Sequence, residues 1–440
     1  MDKISVWKDV ENRKKILKFA EGYIAFLNKN KTEREIVKSS IEMLSKDKGF
    51  LVKNIKNKAL VAVKPSKDIL DRGMRIIASH IDSPRIDLKP TPLYEEQDLV
   101  LLKTHYYGGI RKYQWLSIPL AIHGVVVTEA GEVKEIVIGE DDKDPVFTIP
   151  DLLPHLSKKQ DEKKIKEFAE GEELNVLFGS IPKADEKENP ALRNILDLLK
   201  GKYGILEEDL ISAELELVPS WKARSIGLDE SLIGAYAHDD RVCAYASLKA
   251  ILSLEKFQKV PAIILFDKEE IGSEGNTGAR SEIVSDFIMD VLKSVDVVPT
   301  YRNIRRVIEK SSVISADVNV GIHPTYPEVL DKYNAAKIGS GLVLTKYTGV
   351  KGKAGSSDAS AEFVAELRSI YNKAGVRWQI GELGKVDLGG GGTVAKFLAQ
   401  LGFQVIDSGP PVLAMHSPFE IVSKGDLFHT YRGYKAFLES

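Results

Sequence analysis

Five short segments of this 440-residue chain set histidine or acid side chains where a divalent cation could be held. The first is Ser79-His80-Ile81-Asp82-Ser83-Pro84. On a strand, residues two apart share a face, so Asp82 can steer the imidazole of His80, the usual support of a ligating histidine. The second is Ala237-His238-Asp239-Asp240-Arg241, whose Asp239 carboxylate has two oxygens and could bridge two ions. The third, Phe266-Asp267-Lys268-Glu269-Glu270-Ile271-Gly272-Ser273, ends an apolar run in adjacent carboxylates. Such a pair can divide labour, one on a metal and one free to take a proton from water. The fourth is Ser315-Ala316-Asp317, and the fifth is Leu413-Ala414-Met415-His416-Ser417.

Each segment also has an ordinary structural reading. Asp239 could cap a helix, Glu269 and Glu270 could form an exposed acidic turn, and His80 or His416 could be packing residues. Taken together they supply two histidines, a bridging acid, two terminal acids and a spare glutamate. That is the inventory of two divalent ions a few ångströms apart, each with one histidine, one carboxylate and a share of the bridge. Mixed nitrogen and oxygen donors without sulfur suit zinc, with cobalt or manganese as substitutes.

In this order, His80-Ile81-Asp82-Ser83-Pro84, Asp239-Asp240-Arg241, Glu269-Glu270-Ile271-Gly272-Ser273, Asp317 and Met415-His416-Ser417 resemble the M18 family of metalloaminopeptidases. These are the aminopeptidase I and aspartyl aminopeptidase type. The likeness covers nearly the whole chain and includes Tyr107-Gly108-Gly109 and Ile149-Pro150-Asp151-Leu152-Leu153-Pro154-His155-Leu156. It implies one metal on His80 and Asp317, the other on Glu270 and His416, with Asp239 bridging and Glu269 as general base. Glu269 would draw a proton from a metal-activated water and later pass it to the leaving amine. It implies a cis peptide between Asp239 and Asp240. It also implies that His155 reaches the neighbouring subunit's active site, making activity depend on assembly. Asp82, Glu269 and His155 are thus the expected catalytic set, peptides with a free N-terminus the substrates, and dimers building a tetrahedral dodecamer the assembly. In acid-specific members a lysine follows a Gly-Pro-Val-type strand. Here Gly341-Leu342-Val343-Leu344-Thr345-Lys346 puts Thr345 at that place, which leaves acidic and neutral or broad preference both open.

The elements that must position these residues can be read from periodicity. The first part is helical, with a capping-box pattern at Thr32 to Glu35 and Val37, Ile41 and Leu44 at helical spacing. Strands are predicted over Ala59 to Val63 and Met74 to Ser79, the second running into His80. From Tyr94 to Pro219 short alternating segments, such as Ala121 to Val127 and Ala213 to Val218, lie between charge-rich loops. A helix is predicted from Pro190, ending at Gly201. After Ile233, apolar strands (Ala262 to Phe266, Val313 to Ala316, Gln404 to Ile406) alternate with helices such as Asp240 to Leu254. That alternation predicts an α/β fold with a mostly parallel central sheet covered by helices on both faces. The early strand carries the same chemistry as the late ones. One catalytic domain, 1–92 and 234–440, is therefore expected to be interrupted by a β-rich dimerisation domain, 93–233.

Bulk properties agree with a protein of the cytoplasm. Basic and acidic residues number 62 and 64, a net charge of −2 that exerts no long-range pull on nucleic acid or membrane. The single cysteine, Cys243, permits no internal disulfide and reads as a small buried filler. Met1 to Lys8 has no apolar core for a signal peptide, and no uncharged apolar run is long enough to cross a bilayer. Gly389-Gly390-Gly391-Gly392-Thr393 is expected to open a helix, but it lacks the lysine and spacing of a phosphate loop. His323 could be a supporting or a structural residue, and His238 reads as packing. Competing functions are a related two-metal carboxypeptidase or deacylase, and a non-catalytic scaffold stabilised by metal. The spare Glu269 argues against the scaffold, because a purely structural site needs no base.

Overall fold

In the strand Met74–His80 every residue is buried, and its side chains divide between two cores. Ile77 joins one, while Met74, Ile76 and Ala78 join the other. Its neighbour Val260–Phe266 divides the same way, with Ile263 and Leu265 on one side and Val260, Ala262, Ile264 and Phe266 on the other. A strand alternates its side chains across the sheet, so an apolar run of this kind needs cover on both faces. Helices Arg13–Lys29, Glu33–Leu44, His238–Leu252, Ala361–Lys373 and Lys424–Glu439 furnish the first core. Ile283–Ser294, Tyr301–Lys310 and Ala395–Leu401 furnish the second. This computed structural model describes residues 4–440; Met1, Asp2 and Lys3, part of the stretch read above for a leader, lie outside the described residues.

The large sheet has eight strands, ordered Leu51–Ile55, Ala59–Val63, Val260–Phe266, Met74–His80, Ser312–Ser315, Gln404–Gly409, Leu342–Thr345 and Trp378–Ile380. It is mixed rather than predominantly parallel throughout: four of its seven pairings are parallel, Leu342–Thr345 with Trp378–Ile380 among them, and three are antiparallel. The strands from Val260–Phe266 to Gln404–Gly409 run parallel. Leu51–Ile55 and Ala59–Val63 pair antiparallel, as does Leu342–Thr345 with Gln404–Gly409. At the first edge the cause is the connection. Ile55 pairs with Ala59 across a turn in which Lys56 and Asn57 adopt positive φ, and so short a link cannot make the crossover that parallel strands require.

The chain forms two compact units. One runs to Asp82 and resumes over Ala223–Met415 and Phe419–Ser440; the other comprises Ser83–Lys222 and His416–Pro418. These limits lie about ten residues before those read from the sequence, at both ends of the insertion. The reason is pairing: Arg85–Glu96 belongs to the second unit's sheet, whereas Arg224–Ile226 pairs with Leu232–Ala235 in a five-stranded sheet of the first. The second unit is built on a six-stranded antiparallel sheet, ordered Val133–Ile138, Leu120–Val127, Ala213–Pro219, Arg85–Glu96, Leu99–Tyr107 and Val176–Gly179. The helix Pro190–Leu198 does not stop at Gly201. It continues as a wider π turn to Tyr203, and Gly204, at φ 64°, ends it. Among the described residues no helix is long and apolar enough to cross a membrane.

On the last helix His429 is buried, its Nδ1 accepting the Arg377 amide at 3.1 Å. Burial, aided by Arg432 and Arg377 and opposed by Asp9, pushes its pKa from 6.5 down to about 4. Between those values the unfolded chain takes up a proton that the folded imidazole refuses, so stability falls as pH falls through this window. One such group gives a slope of up to about 1.4 kcal/mol per pH unit. Replacing it by a side chain that cannot titrate, His429→Gln, should flatten the dependence of urea unfolding on pH between 6.5 and 4. An unchanged slope would contradict the assignment.

Candidate metal centre

Three adjacent parallel strands end within two residues of one another, Phe266 opposite His80 and Ser315 opposite Ala78. Just beyond those ends lie Asp82, Glu269 with Glu270, and Asp317. In open α/β sheets ligands bind outside the carboxyl ends of the strands, which is where this cluster forms. Asp239 comes from another sheet of the same unit, after the strand Leu232–Ala235. Ala237 turns the chain through a left-handed conformation at φ 64°, and the Asp239–Asp240 peptide is cis, as expected from the resemblance. His238 holds this turn from behind. It accepts from the Tyr23 hydroxyl at Nδ1 (2.9 Å) and donates from Nε2 to the Ile233 carbonyl (3.1 Å). Burial pushes its pKa down to about 3, so it stays neutral.

Around His80 the contacts are close. Its Nε2 lies 3.2 Å from Asp239 Oδ1 and 3.9 Å from Glu269 Oε2. Its Nδ1 lies 3.1 Å from the main-chain oxygen of Asp82 and 3.4 Å from that residue's Oδ1. Asp82 therefore orients the ring mainly through its backbone. Its carboxylate does a second task, accepting the amides of Glu269 and Glu270 at 3.1 Å each. Asp240 Oδ2 receives the His80 amide at 3.3 Å, and Glu420 Oε2 receives the Asp239 amide at 2.9 Å.

Two groups of side chains bring one ligand atom each within 4.8 Å of the others: His80, Asp239 and Glu270, and Asp239, Asp240 and Asp317. Asp239 is common to both. The chemistry of the set fits a small divalent cation. Two ligands about 2.1 Å from a tetrahedral ion stand roughly 3.4 Å apart, close to the His80–Asp239 separation. Burial, then Asp240 and Asp239, push the Asp317 pKa well above the carboxylate range. Burial likewise raises Asp240, with His80 opposing and Asp239 adding. Burial would depress His80, but Asp239, Asp82, Glu269 and Asp240 override it and raise that pKa well above normal. Carboxylates forced together in this way gain most from a bound cation.

The structure thus brings together His80, Asp82, Asp239, Glu269, Glu270 and Asp317. His416 belongs to the second unit, at φ 64°, with Nδ1 2.9 Å from the Gly109 carbonyl. His155 is also in that unit and is exposed. Asp240 is the residue that the sequence reading left without a role, although the Asp239-Asp240 doublet was a usable signal. Glu420 carried none. His323 is half-buried, and its Nδ1 accepts the amides of Thr325 and Tyr326 in a local turn. Cys243 is buried. The glycine run does not open a helix: Gly390–Gly391 pairs with Gly349–Val350, and the helix starts at Ala395. A Cβ on Gly390, at φ 132°, would lie 2.3 Å from the Gly349 carbonyl, so the ribbon needs glycine there.

Comparison with known proteins shows the family of the chain. Residues 18–438 match the family model described as aminopeptidase I zinc metalloprotease (M18). A Thermotoga maritima protein named probable M18 family aminopeptidase 1 is 47% identical, the alignment covering 100% of this chain and 99% of that one. A crystal structure of an M18 family aminopeptidase from Thermotoga maritima superposes with a TM-score of 0.95 at 46% identity, covering 100% and 99% of the two chains. A more distant structure, the mApe1 dodecamer of S. cerevisiae, gives 0.76 at 22% identity over 95% and 96%, a likeness of fold.

If the Asp82 carboxylate fixes the Glu269–Glu270 turn, Asp82→Asn should weaken zinc binding about tenfold or more, because one of the two accepting oxygens becomes an NH2 that faces a backbone N–H. Competition with a chromophoric chelator measures this. Unaltered zinc affinity would mean that Asp82 does not support the cluster.

Proposed function

The chain belongs to the M18 family of aminopeptidases, and on that premise we propose that it removes N-terminal residues from peptides with two divalent ions, preferably zinc. His80 and Asp317 hold one ion, Glu270 and His416 the other, and Asp239 is shared. What supports a shared Asp239 is that its carboxylate is common to both candidate ligand groups, with Glu269 outside both; those groups set His80 with Glu270 and Asp317 with Asp240, so the division of the remaining ligands between two ions follows the family resemblance. When bound, the ions supply Lewis acidity, which lowers the pKa of water and polarises a peptide carbonyl. Glu269 Oε2, 3.9 Å from His80 Nε2, takes the proton from water and returns it to the leaving amine. Carboxylates around the centre receive the substrate's ammonium group, which restricts cleavage to the chain end. Lys346 is paired with Asp358 at 2.6 Å, as is Lys353 at 2.8 Å, and Thr345 accepts from Asn319 at 2.8 Å. This favours a neutral or broad first-residue preference.

The second unit serves assembly in this proposal. Leu152, Leu153 and Leu156 beside His155 are 53%, 50% and 70% exposed, an apolar segment suited to meeting another copy of the chain. There His155 stabilises the oxyanion in a neighbouring active site. Dimers joined through the insertion and built into a dodecamer, within the cytoplasm, complete the reading.

Turnover of amino-acid arylamides should be lost on chelation and return with zinc or cobalt, while N-acetylated substrates stay intact. Cleavage of the blocked substrates would point to a deacylase or carboxypeptidase. Glu269→Gln should keep its zinc but lose about a hundredfold to ten-thousandfold in kcat. A variant that loads zinc and retains kcat would remove Glu269 as the base.

A further inference from the structure

Glu269 and Glu270 sit on a half-buried turn, and a base works only if it is held in place. The loop that carries them is closed at its root. The Asp267 amide donates to the Thr277 carbonyl at 3.2 Å. In return the Thr277 hydroxyl donates to Asp267 Oδ2 at 2.6 Å. Lys268 Nζ completes the triangle, 2.6 Å from Asp267 Oδ2 and 2.9 Å from Thr277 Oγ1. Asp267 and Thr277 are each 1% exposed, so these bonds form away from bulk water and hold more firmly than surface pairs.

Lys268 also directs the backbone. It lies at φ 66°, a left-handed conformation costly for a residue with a Cβ. Its carbonyl accepts the Ser273 amide at 2.6 Å, and Gly272 donates to Glu269 at 2.9 Å. The side-chain triangle and this short turn together brace the segment that carries Glu269 and Glu270, in addition to the bonds from Asp82. A hydroxyl bonded at once to a carboxylate and an ammonium is more than loop closure needs, since the Asp267–Thr277 backbone bond already closes it.

We propose that Thr277, with Asp267 and Lys268, is a positioning device that sets the general base Glu269 and the metal-binding carboxylate Glu270. This rests on the metallo-aminopeptidase reading for its catalytic half alone. Thr277→Val keeps the shape and removes the hydroxyl; Thr277→Ser restores it. In the full-length zinc-loaded protein, Thr277→Val should lower kcat about tenfold with KM within twofold of wild type. It should also weaken zinc several-fold in chelator competition, and Thr277→Ser should recover both. Should Thr277→Val fail to fold, Lys268→Met, at a partly exposed side chain, tests the same triangle with the same expected direction. Zinc affinity and kcat within twofold of wild type in the folded valine or methionine variant would overturn the proposal. A wild-type chain that binds zinc but cleaves no arylamide would refute the peptidase reading, and the zinc arm would then decide this one.

Discussion

Placing Asp239, Asp240 and Asp317 within reach of one another sets an electrostatic problem around which the first unit is arranged. Each carboxylate loses hydration as it is buried and is then repelled by its neighbours. Apolar packing cannot answer that. What answers it here is a set of donors and one imidazole aimed at named oxygens. Asp240 receives the His80 amide, His80 Nε2 faces Asp239, and the Asp239 amide is itself tied to Glu420. The residual imbalance shows in the raised pKa values of Asp317 and Asp240, and a divalent cation is the species that removes it.

The scaffold makes that crowding affordable by delivering the acids from rigid ends. Three parallel strands with paired registers end side by side, and both faces of their sheet are packed by helices, so the points of exit move little. Asp239 has a different origin, the end of a strand in the smaller sheet. Its turn is pinned by the Tyr23–His238–Ile233 chain rather than by the large sheet. The cluster therefore exists only when two sheets and the first long helix are in register, so binding of a cation there would be coupled to folding of this unit.

Much of this was legible in the chain because ligand types and strand periodicity coincide. An apolar run that ends in His80, Glu269–Glu270 or Asp317 names both an element and its chemistry. The mixed sheet was not legible in that way: the strands Leu51–Ile55 and Leu342–Thr345 have no compositional mark of direction, and connection length decides it only at the first edge, where a short turn joins Ile55 to Ala59. Gly201 read as a stop, yet the π turn carried the chain on to Gly204. The glycine run at 389–392 was mistaken for a helix entry because glycine marks both helix ends and close backbone approach. Only the neighbouring strand at Gly349–Val350 tells them apart. Supporting residues such as Glu420 and Thr277 leave no trace, since a hydrogen bond to a backbone amide imposes no spacing on the sequence.

The double use of Asp82 shows why such supports matter. A carboxylate that only steered a histidine could turn with it. One that spends both oxygens on the amides of Glu269 and Glu270, while its own carbonyl meets His80 Nδ1, ties two ends of the site to one residue. A shift of the Glu269–Glu270 turn must then move Asp82, and through it the ring of His80. The imidazole and the acidic turn accordingly behave as a single rigid piece. Asp239, held separately, is the part whose position relative to that piece sets the spacing between the candidate ligands.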